Sequence, residues 1–309
     1  MRHIGQRLLQ LVPTLVGALV LVFFLMRVLP GDPAAAMLGT NATPEAVADL
    51  KEQLGLDKPL LLQFLDYVTG LARLDLGRSL ALRTPVSLLI WQAIWPTLLL
   101  TIGGTLVSVV VGVPLGIVAA LKRTTWLDYL ASVGALLGVS IPVFVWGVLL
   151  LLAFSLTIPL FPSAGAGDDP ATALRALILP SIATGFFSLG LITRITRSSL
   201  LSVLSNDYVR TARSKGLAPA AVIGSHAMRN ALIPVLTVIG LNAGTLLGGA
   251  VVAETVFTRP GIGRLMLDAI ASRDYPVIQG VMIVSVVLVV LLNLGTDLLY
   301  SVADPRVRT

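Results

Sequence analysis

Long apolar runs alternate with shorter polar segments along the chain, and the runs are continuously apolar rather than alternating as in a barrel strand. About six stretches are long enough to cross a ~30 Å hydrocarbon core as helices. They are Leu8–Leu29, Pro96–Leu121, Tyr129–Ile158, Leu177–Ser199, Ile233–Thr255 and Val277–Tyr300. The first could pass for a signal peptide, since Arg2 and Arg7 precede it and Ala34-Ala35-Ala36 follows. Its apolar run exceeds the roughly 7–15 residues of a signal core, so a retained anchor is expected. The pattern predicts an all-α, polytopic membrane protein. A single membrane domain spans 1–309: a first helix in 1–30, an extracytoplasmic insertion over 31–95 and a five-helix core over 96–309.

Two polar interruptions depart from simple connectors. In the first, Thr43-Pro44-Glu45 places a capping residue before Pro at the first helical position, and Gly55 can close that helix. Asp57-Lys58-Pro59 repeats the start signal before Leu60–Leu71. Two short amphipathic helices are expected there, either touching a partner or covering the ends of the spans. The second interruption, Asn206 to Pro234, is basic. Asn206 or Asp207 can cap a short helix, and Gly216 can end it in the left-handed conformation. Within that helix Val209 and Ala212 share one face, while Arg210, Arg213 and Ser214 share another. Pro219 suits the first turn of a second helix carrying Val222, Ile223, Ala227 and Met228. Such a helix can lie in a groove on another protein or flat on anionic lipid, and the residues fit both.

Composition sharpens the class. The 309 residues are 56% hydrophobic and 12% charged, with a mean hydropathy of +0.91, outside the range of soluble domains. The net charge of +6 sits beside apolar spans, which points to membrane topology rather than nucleic acid. An inward N-terminus collects Arg2, Arg7, Lys122, Arg123, Arg194, Arg197, Arg210, Arg213, Lys215, Arg229, Arg306 and Arg308 on one side. Only Asp128, Asp207 and Asp304 join them. Both termini and the 206–232 loop are therefore expected in the cytoplasm. Arg194 and Arg197 would each cost ~2.5–3.5 kcal/mol at a bilayer centre, so they are expected at the end of the fourth span, snorkelling to water.

Several chemistries lack their residues. Zero cysteines exclude disulfides, thiolate metal sites and a Cys nucleophile. No phosphate-binding Gly-rich loop is present, and His3 and His226 belong to no catalytic or zinc pattern. Asp297 and Glu254 are the acids within the spans, both close to an end, which disfavours an ion-driven carrier working alone. Asn242, Thr245 and Asn293 are candidate lining groups of a path, or else interhelical hydrogen-bonding groups. The glycines at 240, 244, 248 and 249 suit close helix packing.

The loop resembles a known signature. Arg210-Thr211-Ala212-Arg213-Ser214-Lys215-Gly216-Leu217, continuing to Arg229-Asn230-Ala231-Leu232-Ile233-Pro234, is similar to the cytoplasmic loop of binding-protein-dependent ABC importer permeases. The general pattern has Glu-Ala-Ala, three residues and Gly; this chain keeps Ala212, Gly216 and Pro234 but carries Arg210-Thr211. That departure matches the dipeptide/oligopeptide/nickel branch, which commonly reads Tyr-Val-Arg-Thr-Ala-x-x-Lys-Gly-Leu. The resemblance extends over nearly the whole chain, through Leu29-Pro30-Gly31-Asp32-Pro33, Asp75-Leu76-Gly77-Arg78-Ser79, Gly248 to Glu254, Pro260-Gly261-Ile262-Gly263, Arg273 to Val277 and Asp304 to Arg308.

The resemblance implies a type I ABC importer permease in the inner membrane, carrying di- or oligopeptides by alternating access. Nickel or other metal chelates, glutathione and glycosides are the alternative cargoes of that branch. It implies no catalysis and no cofactor in this chain, with ATP and Mg bound by partner subunits. Those partners are a second, homologous permease, two ATPase subunits or domains and an extracytoplasmic solute-binding protein. Tyr208, Arg210, Thr211, Ala212, Arg213, Lys215, Gly216 and Leu217 would form the coupling helix and its exit, set against an ATPase. Glu254, Thr255, Pro260 and Gly261 would shape an outer gate or the dock of the binding protein.

Overall fold

A computed structural model describes residues 13–24, 33–38, 43–53, 55–167 and 169–303. Motif residues 29–32 and 304–308, and the flanking arginines at 2, 7, 306 and 308, lie outside the described residues. Helices account for nearly all of the regular structure. They are α1 (Pro13–Phe24), α2 (Pro33–Leu38), α3 (Pro44–Gln53), α4 (Leu60–Ala72), α5 (Val86–Leu121), α6 (Trp126–Ser140), α7 (Val143–Leu151), α8 (Pro170–Leu204), α9 (Asp207–Ser214), α10 (Pro219–Ala221), α11 (Met228–Val256), α12 (Ile262–Ala271) and α13 (Tyr275–Ala303). Two π-helical segments extend this set: Leu152–Thr157 follows α7, and Val222–Ala227 joins α10 to α11.

Among the described residues four helices are long and apolar enough to cross a membrane, and α6 with α7 forms a fifth candidate bent by 106°. The expected single span Tyr129–Ile158 is thus a broken one. Its break has a local cause: Pro142 biases the preceding residue away from helix, and Ile141 is extended at φ −89° and ψ 124°. Of the expected first span Leu8–Leu29, only α1 is described. Elsewhere the helices outrun the apolar runs. α5 begins at Val86 and carries Pro96 within it, and α8 begins at Pro170, seven residues' length ahead of the apolar run, with Pro180 inside. Such prolines are tolerated in membrane helices because neighbouring groups satisfy the freed carbonyls.

The start of α8 is set by a capping box. Asp169 Oδ1 accepts from the Ala171 and Thr172 N–H groups at 2.9 and 3.2 Å, and Pro170 occupies the first helical position. These bonds, led by that from the Thr172 hydroxyl, hold the Asp169 carboxyl below the usual carboxylate range.

The chain divides into two compact units, 1–95 with 261–290 and 96–260 with 291–309. In the first, Val86, Ile90 and Ala93 of α5 pack with Ile262 and Ala269 of α12 and Val277, Ile278 and Val281 of α13. In the second, Leu100, Leu150, Leu179, Ala183, Ala250, Ala253 and Phe257 form one core. Ala120, Leu200, Ala227 and Ala231 form another. Close approach here depends on glycine. A Cβ on Gly116 would lie 2.6 Å from the Thr193 carbonyl oxygen, and one on Gly190 would lie 2.2 Å from that of Ala135. Of the series expected to pack closely, Gly240 does so against Thr296, whereas Gly248 and Gly249 face open space in this chain. Leu99, Ile102, Leu106 and Val110 of α5 are each more than half exposed, an apolar stripe suited to acyl chains.

Candidate functional site

The basic interruption builds a small folded platform at the end of α8. α9 lays Val209, fully buried, and Ala212 against Val222, with Val203 and Leu204 of α8 packed around them. Its other face carries Arg210, Thr211, Arg213 and Ser214, all exposed. Arg210 and Asp207 lie 3.5 Å apart with both side chains largely in solvent, so this pair fixes little. Asn206 occupies the N-cap in extended conformation, but its side chain makes no capping bond. Lys215 closes the helix and Gly216 turns the chain at φ +78°, the left-handed region expected there. Tyr208 and Leu217 flank the platform, each 42% exposed. The eight residues predicted for coupling all lie within 208–217, and Ala212 alone among them is buried.

The face α9 would need for lipid is already used inside the protein. An interfacial helix sinks its apolar side into the headgroup boundary; here that side is occupied by Val222 and α8. What remains outward is basic and polar, flanked by Tyr208 and Leu217. The second predicted helix is not separate. Pro219 starts a helical arm that continues through π-helical Val222–Ala227 into α11, so no loop intervenes before the span. Asn230 Nδ2, on the first turn of α11, donates to Tyr208 Oη at 2.8 Å.

The other predicted residues are dispersed. Asn242 is buried, and its amide donates to the Val238 carbonyl one turn back, at 2.9 Å. Thr245 and Asn293 are exposed in the isolated chain. Glu254 is 1% exposed and accepts from Thr97 Oγ1 at 2.6 Å, while Thr255 and Pro260 are exposed. Gly261, in the other unit, is buried and precedes α12. The side chain of Asp297 is outside the described residues. Among the described residues, no three His, Asp or Glu side chains group to hold a metal.

Three polar constellations were not legible from the sequence. Asp128, on the first turn of α6, receives Arg197 Nε and Nη2 at 2.6 and 2.8 Å and the Thr124 N–H at 3.0 Å. Arg197 is thus paired with Asp128 while its side chain stays partly exposed, and Arg194 is exposed. Arg259 is buried, and its Nη1 donates to the carbonyls of Gly165 at 3.2 Å and Ala176 at 3.0 Å. In the first unit, Asp274 Oδ2 accepts from Ser79 Oγ at 2.5 Å and from the Leu80 and Ala81 N–H groups at 3.1 Å each. Two of the motifs quoted above, Asp75 to Ser79 and Arg273 to Val277, therefore meet in one bond network.

The decisive comparison matches 112–309 to the model of "Binding-protein-dependent transport system inner membrane component" and 1–88 to that family's N-terminal model. The chain belongs to this family. It is accordingly a multi-pass inner-membrane permease component that works with a solute-binding protein and ATPases. It is 44% identical to the di/tripeptide transport system permease protein of Pseudomonas aeruginosa, over 99% of this chain and 98% of that one. It is 41% identical to the dipeptide transport system permease protein of Escherichia coli K12, over 100% and 99%. Among solved structures, the MetNI methionine ABC transporter in inward-facing conformations is similar in fold, with a TM-score of 0.60 at 18% identity over 71% of this chain and 97% of that one.

Proposed function

We propose that this family member is the non-catalytic permease subunit of an ATP-driven importer for di- and oligopeptides. It pairs with a second, homologous permease; two ATPase subunits or domains bind the ATP and Mg, and an extracytoplasmic binding protein delivers the peptide. Both termini and α9 face the cytoplasm. The observation that carries the mechanism is α9 itself. Its apolar side is locked onto α8 and the α10–α11 arm, so a force on its basic side moves those helices as one. Arg210, Arg213 and Lys215 meet the ATPase, with Thr211 beside them. Tyr208 and Leu217 border the contact, Ala212 anchors it from inside, and Gly216 allows the exit turn. Closure of the ATPases displaces α9, and the spans exchange outward and inward access.

Asn242, Thr245 and Asn293 belong to the helices that border the path, with Asn242 tied to its own helix. Glu254, held by Thr97, fixes the outer end of α11, and Thr255, Pro260 and Gly261, which follow it in the chain, serve the outer gate or the dock of the binding protein. Peptide selectivity resides mainly in the binding protein, because these spans offer few charged partners to a zwitterion. The peptide cargo is inferred from the di/tripeptide and dipeptide transport systems to which the relatives matched over nearly their full length belong.

Affinity purification of the tagged chain from solubilised membranes, with mass spectrometry and an ATPase assay, tests this reading. The expected result is a second permease, ATPases, and vanadate-sensitive hydrolysis stimulated by binding protein loaded with dipeptide. Recovery of this chain alone contradicts the importer, and stimulation only by a metal chelate, glutathione or a glycoside contradicts the peptide cargo.

A further inference from the structure

α9 touches the following helical arm both at the π-helical segment Val222–Ala227 and past its end. Val209 and Ala212 pack on Val222, the first residue of that segment. Tyr208 Oη takes its hydrogen bond from Asn230, just beyond the last residue, on the first turn of α11. The two contacts bracket the segment.

The bracket matters because of what a π-helical turn is. Its i→i+5 bonds are an uncommon alternative to the i→i+4 bonds on either side, and such turns concentrate at functional positions. Shifting the bond register by one residue moves the following helix by about 1.5 Å along its axis and turns it by about 100°. A turn at which the bond register changes is a place where helices bend. Were α9 held at Val222 alone, a displacement of α9 would be taken up in the π-helical turn before reaching the span. Asn230 lies past that turn, so a bond to it bypasses the yielding element.

We propose that Tyr208 and Asn230 are positioning residues of the coupling step, their hydrogen bond carrying the displacement of α9 past Val222–Ala227 directly into α11. This rests on the coupling role of α9 proposed above. It adds a residue outside α9, Asn230, and gives the Tyr208 hydroxyl a task distinct from binding the ATPase. The ring of Tyr208 stays available to the partner while its hydroxyl is engaged by Asn230, in a bond at the protein surface.

The test uses the complete importer in liposomes, with both permeases, the ATPases and the binding protein. Uptake and ATP hydrolysis are measured in the same vesicles, and ATPase retention is scored by co-purification. Tyr208→Phe and Asn230→Ala each lower uptake per ATP hydrolysed by roughly threefold to tenfold, the equilibrium factor one hydrogen bond supplies. Asn230→Asp keeps the wild-type ratio, because the phenol O–H can donate to the new carboxylate. Combined with Tyr208→Phe, Asn230→Asp loses that ratio. A wild-type ratio in Tyr208→Phe or Asn230→Ala overturns the inference, as does Asn230→Asp uncoupled as fully as Asn230→Ala. Absence of ATPases from the wild-type complex instead overturns the coupling role of α9, a pattern distinct from a changed ratio in an intact complex.

Discussion

Arg197 shows what single residues conceal. An arginine near the end of an apolar run is readable as interfacial, because long side chains reach water. Its partner, Asp128, is 69 positions away in sequence and becomes a neighbour only when α6 packs on α8. Removing the carboxylate leaves a half-buried guanidinium without its two bonds. Asp128→Ala is expected to lower the stability of the purified chain by about 1–3 kcal/mol, read as a lower unfolding midpoint in detergent. Adding Arg197→Leu should recover part of that loss; no recovery would mean the pair is incidental. Gly216 is the opposite case, since its left-handed φ follows from its place after a short polar helix. A Cβ there meets open space, so the cost of substitution is backbone strain alone. Gly216→Val should cost about 1–2 kcal/mol locally and reduce uptake without releasing the chain from the membrane. Equal uptake and ATPase stimulation in that variant would count against a strained exit turn. Asp274 was visible only as part of a motif. Asp274→Ala strands the Ser79 hydroxyl and two N–H groups, and faster proteolysis within 79–84 is the expected consequence.

At the scale of elements, the apolar runs located the spans but not their ends or their breaks. Hydropathy reports where lipid is tolerated, whereas α8 begins where Asp169 and Pro170 cap it, ahead of the apolar run. The break at Ile141–Pro142 was signalled by its proline, yet Pro96, Pro114, Pro180 and Pro234 sit inside continuous helices, so proline alone did not discriminate. The join of α10 to α11 through a π-helical segment has no composition signal; Val222–Ala227 reads as ordinary helix. Glycine spacing was only a partial guide, since Gly240 packs on Thr296 as expected but Gly248 and Gly249 do not. Gly190 opposes the Ala135 backbone, whereas Gly248 faces open space. Alanine should therefore act with opposite signs at the two sites. Gly190→Ala must push α6 away and lower the unfolding midpoint, at a cost of about 1–3 kcal/mol for overpacking. Gly248→Ala gains helix propensity, worth up to about 1 kcal/mol, and should leave the isolated chain no less stable. A common sign for both variants would mean the helix contacts are wrongly placed.

For the molecule as a whole, the class was the most legible property, because continuous apolar runs and 12% charged residues leave little alternative to a helical membrane protein. The family signature then survived its Arg210-Thr211 departure, since Ala212, Gly216 and Pro234 keep their structural places: buried contact, exit turn and arm. What stayed hidden is what no single chain holds, namely which surfaces meet the partners. The lack of cysteine turns this into a direct measurement. In the assembled importer, one cysteine is placed in turn at Arg210, Arg213 or Val209 and treated with a short membrane-impermeant thiol-to-amine crosslinker on the cytoplasmic side. The account predicts adducts with an ATPase from Arg210→Cys and Arg213→Cys, changed by ATP with vanadate, and none from the buried Val209→Cys. Labelling of all three positions alike, or no ATPase adduct from the two exposed ones, would contradict α9 as the element through which ATP hydrolysis drives the permease.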